Sequence, residues 1–127
     1  MSETADLSGL KVLVVEDEML VAMAIEDVLA ESNCAIVGPA GTLRAALALL
    51  DKDDAIDAAV VDLNLDRESA MPLLDALAER RIPFVVCTGY GNTRLPPPHQ
   101  DVPVLGKPYG LTELIQKLRQ LLGQEVG

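Results

Sequence analysis

Tryptophan is absent from this 127-residue chain, and one phenylalanine and two tyrosines are its whole aromatic complement. Its core must therefore be built from valine, leucine, isoleucine and alanine. Cationic side chains are scarce, with ten Lys and Arg against twenty Asp and Glu, a formal charge of −10. A surface that acidic repels polyanions, which argues against nucleic acid or an anionic membrane as a direct partner. Most of the excess is expected to be solvated helix face. No apolar run approaches the roughly 18 residues that span a bilayer. Residues 1–9 have neither the basic nor the apolar region of a secretory signal, so a cytoplasmic location is expected. There is no G-x-x-x-x-G-K-[ST], and neither Gly38/Gly41 nor Gly89/Gly91 extends to a dinucleotide fingerprint. His99, the one histidine, stands alone in a proline-rich stretch, and no metal or relay role is expected of it.

What is present alternates. The length suits one domain that buries roughly two thirds of its unfolded surface. Apolar runs at Lys11–Val15, Cys34–Gly38, Ala58–Val61, Pro83–Cys87 and Val102–Gly106 read as short buried strands. Between them, helical spacing covers Met19–Glu31, Thr42–Leu50 with Thr42 as N-cap, and Ala70–Arg80 with Pro72 in its first turn. A last helix runs over Leu111–Leu122, with Gly123 as its stop. Such alternation predicts an α/β parallel sheet with helices on both faces. Leu63–Ser69 reads as a polar loop. Gly89–Asp101 breaks the alternation, because three successive prolines, Pro96 to Pro98, supply no backbone donors and clash with helical geometry. A loop is expected there in place of a full fourth helix. Residues 1–9 and 124–127 are expected to be flexible.

Polar residues stand where four of the runs end: Glu16 and Asp17, Asp62, Thr88, and Lys107. Open parallel sheets bind ligands outside the carboxyl ends of their strands. If the four strands share one sheet, its rim gathers three carboxylates, a hydroxyl and an ammonium. A carboxylate at a strand tip can act as a nucleophile toward phosphorus. Its charge must be neutralised because the donor is also anionic. Glu16 and Asp17 offer hard oxygen ligands suited to an octahedral ion such as Mg²⁺ or Mn²⁺, and the main-chain carbonyl of Asn64 could complete the set. Thr88 could donate to a phosphoryl oxygen and Lys107 balance its charge. Taken singly, each has a plainer reading: a helix-opening acid pair, a turn threonine, an exposed lysine. Their joint placement is what carries the inference.

Val-Val-Glu16-Asp17-Glu, Val-Val-Asp62-Leu-Asn, Val-Cys-Thr88-Gly and Gly-Lys107-Pro108-Tyr resemble the response-regulator receiver domain of two-component signalling. The likeness covers Leu10–Leu122, with the receiver domain proper expected over residues 10–123. It implies a flavodoxin-like (βα)₅ fold of strand order 2-1-3-4-5, with helix 4 shortened or replaced by the proline-rich loop. It implies Asp62 as phosphoacceptor and Asp17 as a direct Mg²⁺ ligand, with Glu16 acting through water. Asn64 would ligate by its main chain, and Thr88 and Lys107 would contact the phosphoryl group. In that order Cys34 and Cys87 lie three strands apart, roughly 14 Å at about 4.8 Å per step. That exceeds the roughly 7 Å a disulfide allows, so both are expected reduced.

Within the family, Pro83-Phe84, Thr88-Gly89-Tyr90-Gly91, Leu95-Pro96 and Pro103-Val104-Leu105 resemble the variant nicknamed FAT GUY, whose usual Phe-Ala is here Val86-Cys87. Such receivers often pair with HWE or HisKA2 histidine kinases. The resemblance therefore implies a histidine kinase or histidine phosphotransfer protein as donor, and no nucleic-acid or membrane partner. Ordinary receivers place an aromatic three residues before the lysine, where this chain has Val104. Readout is then expected through movement of Gly89–Asp101, with Tyr90 as substitute aromatic, and the Lys107–Pro108 bond is a candidate cis site. No room remains for an output domain, so a stand-alone receiver is expected. A phosphorylation-independent binding module is the alternative reading.

Overall fold

The computed structural model describes residues 7–65, 68–89, 95–96, 99–106 and 110–126, with side chains as far as residue 122. In chain order the elements are β1 (Lys11–Val15), α1 (Met19–Glu31), β2 (Ala35–Ala40), α2 (Leu43–Lys52) and β3 (Ala58–Asp62). A short arm, β4 (Asn64–Leu65) and β5 (Glu68–Ser69), leads to α3 (Met71–Glu79). Then follow β6 (Phe84–Thr88), β7 (Val104–Gly106) and α4 (Leu111–Val126). Five strands form one parallel sheet in the order β2-β1-β3-β6-β7. This is the flavodoxin-like 2-1-3-4-5 arrangement that the resemblance to receiver domains implies.

The central strands are unbroken apolar runs because both of their faces are covered. β3 and β6 are buried at every residue, and β1 at all but Lys11. Strand alternation deals their side chains to two cores. Leu13, Val15, Ala59, Val61, Phe84 and Val86 pack under α2 and α3, beside Leu50, Leu73, Leu74 and Leu77. Val12, Val14, Ala58, Val60, Val85 and Cys87 pack under α1 and α4, beside Ile25, Leu29, Leu114 and Leu118. Ala22, Ile25 and Leu29 are the buried stripe of α1, at helical spacing. Leu7 joins the same core ahead of β1, 1% exposed.

Local chemistry sets the element ends. Asn33, at φ 63, takes the left-handed position after α1, and the N–H of Cys34 reaches back to the Leu29 carbonyl at 3.1 Å. The Thr42 hydroxyl accepts from the Ala45 N–H at 3.0 Å, the predicted cap of α2, typically worth about 1 kcal/mol. Arg80, just beyond α3, donates to the Leu50 carbonyl at 2.7 Å and pairs with Asp51, fastening the ends of α2 and α3 together.

Four expected boundaries are corrected. β2 runs to Ala40 because a bulge at Gly38 carries the strand past the glycine. The stretch read as a polar loop contains the antiparallel arm β4–β5. β7 begins at Val104, since the N–H of Val102 turns back to the His99 carbonyl at 3.2 Å. α4 continues through Gly123 to Val126; an interior glycine costs a helix only about 1 kcal/mol relative to alanine. The described residues between β6 and β7 contain no helix, as the prolines predict, leaving four helices among the described residues. Cys34 and Cys87 are not joined in a disulfide. No helix of the described residues is long and apolar enough to cross a membrane.

Candidate acidic pocket

Parallel register brings the acids together. Val15 lies opposite Val61, so the next residues, Glu16 and Asp62, emerge side by side at the carboxyl rim. Carboxylate oxygens of Glu16, Asp17 and Asp62 all lie within 4.8 Å of one another. Glu16 and Asp62 are buried, at 3% and 5% exposure, while Asp17 is exposed. Two of the carboxylates are held by amides two residues on: Asp62 Oδ1 accepts from the Asn64 N–H and Glu16 Oε2 from the Glu18 N–H, each at 3.2 Å.

The bulge in β2 shapes this rim. Leu13 pairs with Val37 but Val15 with Ala40, so β2 holds one residue more than its partner. Gly38, at φ +99, occupies the extra turn before the cis Gly38–Pro39 bond. A Cβ there would lie 2.9 Å from both the Val14 carbonyl oxygen and the Ala40 nitrogen, so only glycine fits. The result is that the Ala40 carbonyl accepts from the Glu16 N–H at 2.9 Å, fixing the backbone where the first acid leaves its strand. Sequence reading missed this device, although a Gly-Pro pair inside an apolar strand is its signal.

Thr88 ends β6, fully buried. Asp62 pairs with Cys87, so Thr88 stands one residue further along the same rim, opposite Gly106 on β7. Asn64 begins the arm just past Asp62. Lys107, Pro108 and Tyr90 lie outside the described residues; β7, which leads to Lys107, ends at Gly106.

A further feature escaped the sequence. Between α1 and the bulge is a cavity of about 210 Å³, whose lining includes Asp17, Met19, Met23, Glu26, Pro39 and Gly41. Met19, Leu20 and Met23 are 76%, 82% and 52% exposed, an apolar lip beside the acids. The available signal was the run Met19 to Met23, apolar at every position, which exceeds what one helix face can bury.

Three carboxylates this close repel by roughly 1–3 kcal/mol per pair, between the aqueous and protein limits of dielectric. The donor set is all hard oxygen with one exposed side, which fits a divalent cation that keeps part of its water shell.

A doubly wound parallel sheet with acids at its carboxyl rim defines a class of ligand-binding α/β proteins. Comparison with known proteins narrows it. Residues 12–119 match the response regulator receiver domain, and the chain belongs to that family, signalling modules of two-component systems rather than classical enzymes. It is 38% identical to SdrG from Sphingomonas melonis Fr1, at a TM-score of 0.77, with 96% of this chain and 99% of that one covered. The BeF3-activated conformation of SdrG from Pseudomonas melonis Fr1 gives 39% identity and a TM-score of 0.72 over 91% of this chain and 98% of that one. The transcriptional regulatory protein PdtaR of Mycobacterium tuberculosis is 32% identical over 111 residues, 83% of this chain. The match covers 53% of PdtaR, so the chain spans about half the length of that curated relative. The acidic triad is consistent with the metal site of such a receiver.

Proposed function

We propose that the protein accepts a phosphoryl group on Asp62, in a Mg²⁺- or Mn²⁺-dependent reaction, from a histidine kinase or histidine phosphotransfer protein in the cytoplasm. It then signals by protein–protein contact. The observation that carries this reading is the approach of Glu16, Asp17 and Asp62 to within 4.8 Å. Asp17 would ligate the ion directly, Glu16 through water, Asp62 by its carboxylate and Asn64 by its main-chain carbonyl. Bound there, the cation supplies the positive charge that lets an anionic donor approach an anionic acceptor.

The chain's own groups do the rest. An Asp62 oxygen attacks phosphorus as the P–N bond to the donor imidazole breaks. The electron pair leaves on nitrogen, which is protonated from water, and an acyl phosphate remains. The Asn64 amide, 3.2 Å from Oδ1, orients the carboxylate. Thr88 and Lys107 contact the phosphoryl oxygens. That a relative 39% identical adopts a BeF3-activated conformation favours phosphoacceptor chemistry here. The FAT GUY resemblance favours an HWE or HisKA2 kinase as donor, and the lip of Met19, Leu20 and Met23 offers it an apolar footing beside the pocket.

Incubation with Mg²⁺ and a small-molecule phosphodonor should add the mass of one phosphoryl group, and Asp62→Asn should abolish the gain. An unchanged mass, or a gain that survives the substitution, would overturn the reading and leave a phosphorylation-independent binding module. Phosphotransfer from a kinase panel tests the donor class.

A further inference from the structure

The phosphoacceptor chemistry gives no part to Glu68, an exposed acid on the short arm that follows Asp62. Its Oε1 accepts from the Leu43 N–H, the first amide of α2, at 3.2 Å. The opening amides of a helix have no acceptor within the helix and stand at the positive end of its dipole. A carboxylate is a favoured partner there. Side chains bond two of these amides in α2: the Thr42 hydroxyl takes Ala45, and Glu68 takes Leu43. The first bond is local and caps the helix. The second comes from another element and joins α2 to the arm.

That junction lies beside the acidic pocket. Gly41 follows Ala40, whose carbonyl holds the Glu16 amide. A Cβ on Gly41 would lie 3.9 Å from both the Asp17 Cα and the Glu16 carbonyl oxygen, so the approach to α2 is seated against the backbone of the first two acids. On the other side of the pocket, Glu68 pairs with Leu65 and Ser69 with Asn64 in the antiparallel ladder. The Asn64 N–H in turn donates to Asp62 Oδ1 at 3.2 Å. A path of bonds therefore leads from Glu16 through Ala40 to the head of α2, across to Glu68, and through the arm to Asn64 and Asp62. The paired ends of β1 and β3 return it to Glu16. The contact between Glu68 and Leu43 closes that ring around the pocket.

The base of the arm is held by other means. Leu65 and Ala70 are buried, and the Ala70 N–H donates to the Leu63 carbonyl at 2.9 Å. Asn64 is exposed, so packing does little to place it. We propose that Glu68 is a positioning residue for the acidic pocket: by clasping the first amide of α2, it holds Asn64 where its amide orients Asp62 and its carbonyl is offered to the cation. This role rests on the metal-binding, phosphoacceptor reading above. Glu68 is not among the carboxylates gathered within 4.8 Å of one another, and it acts through Asn64, as groups behind a metal ligand commonly do. A plain helix cap would change the stability of α2 and leave the pocket's affinity for an ion untouched.

Mg²⁺ titration of the full chain, followed at the Asp17 and Asp62 amides, separates the two. Glu68 is exposed, so Glu68→Ala should fold. It should weaken Mg²⁺ binding by about three- to tenfold, the factor that one hydrogen bond's net worth can transmit. In the metal-free protein it should move the Asn64 amide signal while those of Val14 and Val60 stay in place. Glu68→Gln keeps an acceptor oxygen without the charge and should retain most of the parent affinity. Thr42→Ala removes the local cap and leaves the clasp, so it should lower the urea midpoint with Mg²⁺ affinity unchanged. Equal affinity in the parent and Glu68→Ala would overturn the positioning role. So would an equal loss in Glu68→Gln, which would mean action by charge alone, or an equal loss in Thr42→Ala, which would mean that the ion senses only the stability of α2. Failure of Mg²⁺ to bind the parent would overturn the role together with the metal-binding reading.

Discussion

Asp53 lies in the turn after α2, and the Lys11 ammonium lies 2.9 Å from its Oδ2. That hydrogen bond chiefly, the N–H of Ala55 next and the lysine charge last hold the carboxyl below its usual 3.8; burial opposes them. The folded pKa is therefore below the unfolded one. Its stabilisation is fully present above pH 3.8 and disappears as pH falls through the lowered value. Asp53→Asn should shift the urea midpoint at neutral pH and converge with the parent in strong acid; a constant offset at every pH would refute the assignment. Lys11 and Asp53 are 42 residues apart and belong to an unremarkable strand start and turn. Nothing in the sequence marks them as partners. The same blindness hid Asp75 from His99, whose Nε2 lies 2.7 Å from Asp75 Oδ1, whereas Glu16, Asp17 and Asp62 were legible because each ends an apolar run.

Element boundaries were legible wherever periodicity and caps agreed, as at β1, β3 and Thr42. They were less so where a single residue could break or continue an element. Gly38 illustrates the difficulty. Glycine usually interrupts a strand, but here it lets β2 gain a residue and continue to Ala40. Because φ is +99 and a Cβ would crowd backbone atoms at 2.9 Å, Gly38→Ala should destabilise the fold. A cost of about 1–3 kcal/mol in urea unfolding is expected. The substitution should also weaken Mg²⁺ binding, because the Ala40 carbonyl holds the amide of Glu16. Unchanged stability and metal affinity would mean that the bulge has no part in shaping the rim. Gly123 went the other way: expected to stop a helix, it is carried through by the turns around it.

For the molecule as a whole, a parallel sheet and the location of its rim were readable from alternating strands and helices, whereas the strand order came from the resemblance to receiver domains. The apolar lip on α1 was not readable, because burial depends on what the neighbouring elements leave uncovered. A formal charge of −10 opposes compaction, and three of those acids share one pocket. Mg²⁺ bound to the native state alone should raise the thermal midpoint, by an amount corresponding to about 2.7 kcal/mol at a hundred times the dissociation constant. EDTA should reverse the gain, and Asp17→Asn should nearly abolish it in differential scanning calorimetry. Equal midpoints with and without the ion would argue against a metal pocket.

The two-core architecture has a consequence for traffic around the domain. The methionine-rich lip belongs to α1, which packs on one side of the sheet, whereas Phe84, Leu95 and the helix bearing Asp75 pack on the other. On the proposed reading, a protein delivering phosphate at the lip would leave the opposite flank open, so that supplier and recipient of the signal would not have to take turns and could be seated at once, with the sheet between them.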